Sequence, residues 1–408
     1  MANERRNILV LTYWSFADAL VQAYTLPYVR LIAQQSGSKV FLLCLEQDHI
    51  ALNETEQEKA KKELAAENIV PVFMRYLPFG ARAALKWIPY LSKLKKTVRE
   101  NGIGTIHAWC TPAGAIGYYL AGMTRSRLVI DSFEPHAWSM VENGTWKAGG
   151  PAFRTLFHLE KKQAQKADIL IGLTESMKTY AQEKYGAGEK KFYVKPACID
   201  FDAFPVFRAL EKKEIRAGLG LNDKLVCVYA GKLGGIYLEK EVFDFFAAAH
   251  ERWGDRFHAL LLSNAPAELI EKLCRQCGFP KENISVRFVP QHEVPRYLAA
   301  ADFALNPVKP VPSKRHCTSI KDGEYWASGL PVVIPAGISD DSDIIRQNQT
   351  GAVLDELSRN AYLEALGKID QLLQGDRGEL EAKIKEQGRR YRSMQIAANI
   401  YREIYGNR

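Results

Sequence analysis

The run Ser319-Ile320-Lys321-Asp322-Gly323-Glu324-Tyr325-Trp326-Ala327-Ser328-Gly329-Leu330-Pro331-Val332-Val333-Ile334-Pro335 holds the residues best suited to binding chemistry. Ser319 stands as a helix N-cap, and Asp322 completes a capping-box spacing and favours the positive end of the helix dipole. Such a start presents backbone N–H groups at Ser319 and Ile320 that attract a phosphate. Glu324 lies about one turn further in, where a carboxylate can accept hydrogen bonds from ligand hydroxyls. The same residues also fit an ordinary capped helix feeding a buried strand. A second phosphate-handling element precedes it: the apolar run Leu225–Ala230 ends in Gly231-Lys232-Leu233-Gly234-Gly235. Glycines there let the backbone approach a ligand closely, and Lys232 can neutralise phosphate charge.

The long run resembles the P-S-x-K-x-x-E-Y-x-A-x-G-x-P-V-I signature of family 4-type retaining glycosyltransferases of the GT-B fold, with Thr318 at the Pro position. Gly231–Gly235 is similar to that family's V-G-R-L-x-x-x-K-G segment, which implies Lys232 as a diphosphate ligand. Tyr237 falls where the second cation belongs and Lys240 comes later, so Lys321 or Lys314 would substitute. Asn264, after Leu260–Ser263, resembles the strand end that lines the donor site. Arg287–Gln291, with Asp302 and Pro307 following, resembles the base-binding loop, so the nucleobase would meet backbone near Val289, while Tyr297 belongs to the core. The family's first acid of E-x7-E is replaced by His316, and its second matches Glu324, implying a ribose contact. His316 either takes over the sugar contact or is an exposed residue of the basic loop Lys309–His316, which is itself a clamp or merely solvated. Gly337–Ile345 and Thr350–Val353 extend the match over most of residues 225–355. The resemblance implies His136, Lys232, Lys321 and Glu324 as catalytic groups. It implies Gly231, Gly234, Gly235, Asn264, Val289, His316, Ser319 and Ile320 as donor contacts.

The first half supports less. Asp131-Ser132-Phe133-Glu134-Pro135-His136-Ala137 follows the apolar run Leu128–Ile130, and a carboxylate and a His at a strand end sit where an α/β sheet presents function. Relatives place a site His at this strand end, which points to His136 with Glu134 beside it. His107–Gly114 resembles the neighbouring loop that faces the cleft, which makes Trp109, like Glu134, an acceptor contact, and His107 itself is a candidate for burial. In Tyr13–Gln22 the acceptor candidates are Asp18 and Gln22, Asp18 also being a possible N-cap. Trp14 suits either a sugar face or the core.

These groups must be positioned by alternating strands and helices. Apolar runs at 7–12, 40–45, 69–74, 103–107, 128–131 and 169–173 read as strands, with helices over about 20–35, 53–67 and 82–99. The pattern restarts after Asp200, past a linker that includes Pro196, Pro205 and the polar run 211–216. Strands follow at 225–230, 258–262, 284–288, 303–306, 330–334 and 352–354. The expected fold is α/β, a GT-B pair of Rossmann-like doubly wound domains facing a central cleft. The acceptor domain would span 1–203 and the donor domain 204–380. A terminal helix, 381–408, would pack back on the first domain by resemblance.

A chain of 408 residues with 47% hydrophobic and 25% charged composition exceeds one compact core. Net charge is +8, the basic residues cluster near one helix, and no nucleic-acid motif appears. Between Arg75 and Arg99, Arg75, Arg82, Lys86, Lys93, Lys95, Lys96 and Arg99 interleave with Tyr76, Phe79, Trp87, Ile88 and Tyr90, a pattern that suits an anionic inner leaflet. No signal peptide is recognisable and no apolar run reaches the roughly 18 residues of a membrane span, so a cytoplasmic protein able to sit at the periphery of the inner membrane is expected. Cys274-x-x-Cys277 has no second pair, and no metal or cofactor is expected beyond a UDP- or GDP-linked sugar as co-substrate. The expected activity is transfer of a sugar to a glycan or lipid-linked acceptor of the bacterial envelope or exopolysaccharide. The alternatives are a GT-B epimerase or inverting relative, and a catalytically silent nucleotide-sugar-binding partner.

Overall fold

A computed structural model of the chain describes residues 6–18, 20–77 and 84–406. The chain forms two compact units, Met1–Lys195 with Gln395–Arg408, and Pro196–Met394. The first crossing precedes the expected boundary at 203 because residues 197 and 199 bond within the second unit. Ala197 N donates to Thr318 Oγ1 at 2.8 Å, and Ile199 N donates to Arg392 O at 2.6 Å.

In the first unit the Val/Ile/Leu runs become strands β1 (Asn7–Leu11), β2 (Val40–Glu46), β3 (Ile69–Arg75), β4 (Ile103–Trp109), β5 (Arg127–Phe133) and β6 (Ile169–Gly172). A seventh, β7 (Lys191–Val194), was not foreseen. It is a half-exposed edge strand with only short apolar content, so it lacks the continuous apolar signature of the strands behind it. All pair in parallel in the order β3-β2-β1-β4-β5-β6-β7. The second unit repeats the plan with β8 (Leu225–Ala230), β9 (Phe257–Leu262), β10 (Ile284–Arg287), β11 (Phe303–Leu305), β12 (Val332–Pro335) and β13 (Gly351–Leu354). Their parallel order is β10-β9-β8-β11-β12-β13. Each sheet reverses its order beside its first strand, between β1 and β4 and between β8 and β11. Ligands of open parallel sheets bind outside the strands' carboxyl ends at that point.

Three local expectations are corrected. The polar run 211–216 is not linker but part of the helix Ala209–Gly218, begun where the Glu211 carboxylate accepts from Arg208 N at 2.7 Å and from its guanidinium at 3.2 Å, and held by buried Ile215. Residues 20–35 split into a π-helical turn, Leu20–Thr25, and an α-helix, Leu26–Ser36, whose Pro27 occupies the first turn. The terminal helix is two, Arg377–Arg392 and Met394–Tyr405. They break at Ser393, which turns extended (ψ 148) and bridges in parallel to Ile199. Among the described residues no helix is long and apolar enough to cross a membrane.

The second of these helices docks on the first unit through a buried polar cluster. The Asp131 carboxylate accepts from Tyr401 Oη at 2.6 Å, sits 3.1 Å from His107 Nε2 and lies 3.2 Å from Lys195 Nζ. Lys195, fully buried, also lies 3.8 Å from the Tyr28 ring centroid and 4.5 Å from that of Trp109. Burial alone would raise the Asp131 carboxyl, but Lys195, His107 and Tyr401 bring it down to about 2. Tyr401→Phe removes one hydrogen bond to a buried carboxylate, so the variant is expected to lose about 1–3 kcal/mol. A denaturant midpoint equal to wild type would show that the phenol contributes nothing to docking this helix.

Candidate functional site

Strand β8 delivers the chain to Gly231 at the switch point. Ala230 N donates to Tyr325 Oη at 2.9 Å, and Gly231 N donates to Leu262 O at 2.9 Å, so the strand end is tied to β9 and to the helix Ile320–Ala327. A Cβ at Gly231 would stand 2.5 Å from Lys321 Cε and 3.2 Å from its Nζ. A side chain there would push the end of that lysine aside. Gly234 and Gly235 take positive φ (76 and 63), which the turn after the strand requires. Lys232 is exposed, and among the described residues no carboxylate lies within ion-pairing distance of it.

The helix begins where expected. Ser319 is the N-cap in position but not in chemistry: its side chain makes no capping bond, and its buried hydroxyl has no partner among the described residues. Asp322 does not cap either. It shares the inward face with Tyr325 and Trp326, three and four residues on, and is fully buried. Its Oδ2 accepts from Asn306 Nδ2 at 2.7 Å. Burial, then the charge of Asp341, hold its carboxyl well above the usual range, with Arg392 opposing. The first-turn amides at Ser319 and Ile320 are therefore left without a side-chain cap.

Lys321 is 8% exposed and donates from Nζ to Tyr237 Oη at 2.8 Å. Glu324, also nearly buried, accepts from Gln291 Nε2 at 2.7 Å. Burial pushes the Glu324 carboxyl up to about 7, although Lys321 and the Gln291 bond both pull it down. Gly231, Lys321 and Glu324 thus come together at the end of β8. Val289 is half-buried against the core one residue past Phe288, which is 79% exposed. Asn264 is exposed just beyond β9. Tyr237 and Gln291 escaped the sequence reading as site residues. Tyr237 sits at the position expected of a cation, and Gln291 is a neutral side chain in a loop chosen for its backbone.

His316 lies in a short 3-10 turn, Pro312–His316, and is half-buried rather than exposed. Burial and Arg315 lower its pKa to about 4, which keeps it neutral near pH 7. The loop is not simply solvated: Lys314 is 7% exposed, and Arg315 donates to Ser339 O at 2.9 Å and to Asp343 Oδ2 at 2.7 Å.

In the first unit, His136 Nδ1 lies 2.9 Å from Glu134 Oε1, both partly exposed, and this pair begins the short helix His136–Glu142 after β5. Glu160, fully buried and overlooked in the sequence, accepts from Ala137 N and Tyr185 Oη, both at 2.8 Å, and fixes the turn that carries His136. Burial raises its carboxyl to about 7. No local signal marks Glu160, because its partners lie 23 and 25 residues away.

Trp109 does not face an acceptor. It is 1% exposed, enclosed by Tyr24, Tyr28, His107 and Lys195, because β4 ends in the interior of its unit. His107 is likewise buried. Asp18 Oδ1 accepts from Leu20 N at 2.8 Å, the cap-like role open to it, and exposed Gln22 donates to Phe16 O at 2.6 Å. Trp14 is half-buried against the core.

No protein-family model matches the chain, and no curated protein matches its sequence. Solved structures do match. The Anabaena HepE protein in complex with UDP superposes with a TM-score of 0.72 at 13% identity, over 98% of this chain and 99% of that one. Sucrose-phosphate synthase from Thermosynechococcus elongatus gives 0.71 at 15% identity, over 98% and 99%. WaaG, a glycosyltransferase of lipopolysaccharide biosynthesis, gives 0.68 at 15% identity, over 98% and 99%. These structural neighbours are GT-B glycosyltransferases, and the likeness establishes the GT-B fold for this chain, two Rossmann-like domains of parallel sheet.

Proposed function

We propose that the protein is a retaining, metal-independent glycosyltransferase of family 4 type that transfers a hexosyl group from a UDP- or GDP-linked sugar. The observation that carries this reading is the nearly buried Lys321 ammonium beside an uncapped helix N-terminus and the side-chain-free Gly231. Such an arrangement suits a diphosphate: the Ser319 and Ile320 amides, Lys321 and Lys232 supply positive potential without a bound cation. When the sugar leaves, negative charge grows on that diphosphate, and fixed positive groups lower the barrier by stabilising it. Glu324 would accept the ribose hydroxyls, with the base against the backbone near Val289. HepE is described with UDP bound, and with UDP-glucose, which supports the same donor class here.

The acceptor would be a glycan or lipid-linked sugar of a bacterial envelope or exopolysaccharide, bound by Glu134 and His136 of the first unit. A cytoplasmic protein touching the inner leaflet completes the reading. On the helix Ala84–Glu100, Leu94 and Val98 turn inward while Lys86, Lys93, Lys96 and Ile88, 62% exposed, face outward. Phe79 and Arg82 of the expected basic stretch lie outside the described residues.

A thermal-shift panel of nucleoside diphosphates and nucleotide sugars tests the donor. One diphosphate is expected to raise the wild-type Tm by several degrees, since ligand at about 100 times Kd adds about 2.7 kcal/mol. Lys232→Ala should lose most of that shift. A wild type indifferent to every diphosphate would end the proposal.

One observation favours a second reading. A His backed by a carboxylate at 2.9 Å is the arrangement of a general base, which an inverting displacement needs. Proton NMR of the first-formed product separates the two, retained anomeric configuration supporting the main reading and inverted configuration the second.

A further inference from the structure

We propose that Tyr237 is the positioning residue for the Lys321 ammonium and that its hydroxyl is a second donor to the same bound diphosphate. The inference rests on the donor-site reading above and deepens it. Lys321 is nearly buried, yet among the described residues no carboxylate lies within ion-pairing distance of its Nζ. Glu324 feels the charge of this ammonium without pairing with it, and a buried ammonium that lacks a direct ion pair gains from an anion supplied by a ligand. Its one hydrogen-bond partner among the described residues is the neutral phenol of Tyr237, at 2.8 Å, and the ring centroid lies 4.1 Å from Nζ. An ammonium has three N–H donors, so two remain after that bond.

Tyr237 is itself held rigidly. Its N–H donates to Gly234 O at 3.0 Å, it pairs with Val308 in an antiparallel bridge, and Leu238 N donates to Pro307 O at 2.8 Å. Its ring is half-buried against the apolar cluster behind β8. The ring therefore acts as a fixed shelf that keeps the flexible lysine stem over Gly231, where no Cβ stands in the way. A phenol oxygen that accepts from an ammonium keeps its own hydrogen to donate. The hydroxyl and the ammonium then converge on one anion, so a single cation and a neutral donor serve at the second phosphate.

The test compares wild type with Tyr237→Phe and Tyr237→Leu by isothermal titration with UDP, GDP, inorganic pyrophosphate and the parent nucleosides, alongside the Tm of each unliganded protein. Tyr237→Phe keeps the shelf and loses the donor, so affinity for the preferred diphosphate and for pyrophosphate should fall about tenfold. Nucleoside affinity and unliganded Tm should stay at wild-type values. Tyr237→Leu loses both features and should fall further. A merely structural residue would lower nucleoside and diphosphate affinity together, and that result overturns the proposal. Wild-type diphosphate affinity in Tyr237→Phe overturns the role of Tyr237 and leaves the donor site standing. A wild type that binds neither pyrophosphate nor any nucleoside diphosphate overturns both.

Discussion

Glu324→Gln is expected to yield a protein that is more stable at pH 8 and poorer at holding its donor. The Glu324 carboxyl is nearly buried, and burial lifts it from an ordinary 4.5 to about 7. A group raised on folding favours the folded state below its unfolded value, and that advantage is lost as pH climbs through the folded value. At pH 8 the native protein therefore carries the full cost of a buried carboxylate, which for this gap is about 3 kcal/mol. Glutamine keeps the shape and can still accept from Gln291 Nε2, so it should recover much of that cost at pH 8 and little at pH 4. The same change replaces a charged acceptor by a neutral one, and donor affinity should drop at least about tenfold. Thermal denaturation at the two pH values, with diphosphate titration, reads both effects. Equal stability of variant and wild type at pH 8 would show that the carboxylate is better solvated than its surroundings indicate. The trade matters because a residue that costs stability at working pH is retained for a ligand.

Arg392→Met is expected to be the most damaging substitution in the second unit. Arg392 is 1% exposed, ion-paired through NH2 with equally buried Asp341, and donates from NH1 to Ala197 O at 3.3 Å. Asp322 stands in the same cluster, its carboxyl pushed well above the usual range by burial and by Asp341. Removing the guanidinium leaves an uncompensated carboxylate in the interior, a loss of about 3–5 kcal/mol. It also loosens the helix that carries Lys321 and Glu324, because Asp322 lies in that helix's first turn. Asp341→Asn in the Arg392→Met background should recover most of the loss, since it removes the stranded charge. Urea denaturation of both single variants and the double variant gives the coupling. Simple additivity would mean that the pair does not act as a unit.

How far the sequence reached follows from the range of the interactions. Five strands of the second sheet, β8, β9, β11, β12 and β13, were legible because strands buried on both faces are continuous apolar runs. Of the two exposed edge strands, β10 was legible and β7, Lys-Phe-Tyr-Val with no such run, was not. Gly231, Ser319, Lys321 and Glu324 could be read together from the spacing of glycines after a strand and of polar residues at a helix start. Their convergence follows from the parallel β8–β11–β12 order. Local spacing determined where that helix begins and which residues it presents first.

Direction and partnership were decided by the tertiary structure. Asp322 has capping-box spacing, yet packing around Tyr325 and Trp326 turns it inward to Asn306, 16 residues away. Trp109 ends a strand, and only the folded unit shows Tyr28 and Lys195 closing over it. Tyr237 meets Lys321 across 84 residues, and Asp131 meets Tyr401 across 270. Sequence periodicity determines which face a residue is offered to, because helix and strand geometry are local. Which charge or ring waits on that face depends on chain segments brought together only by folding.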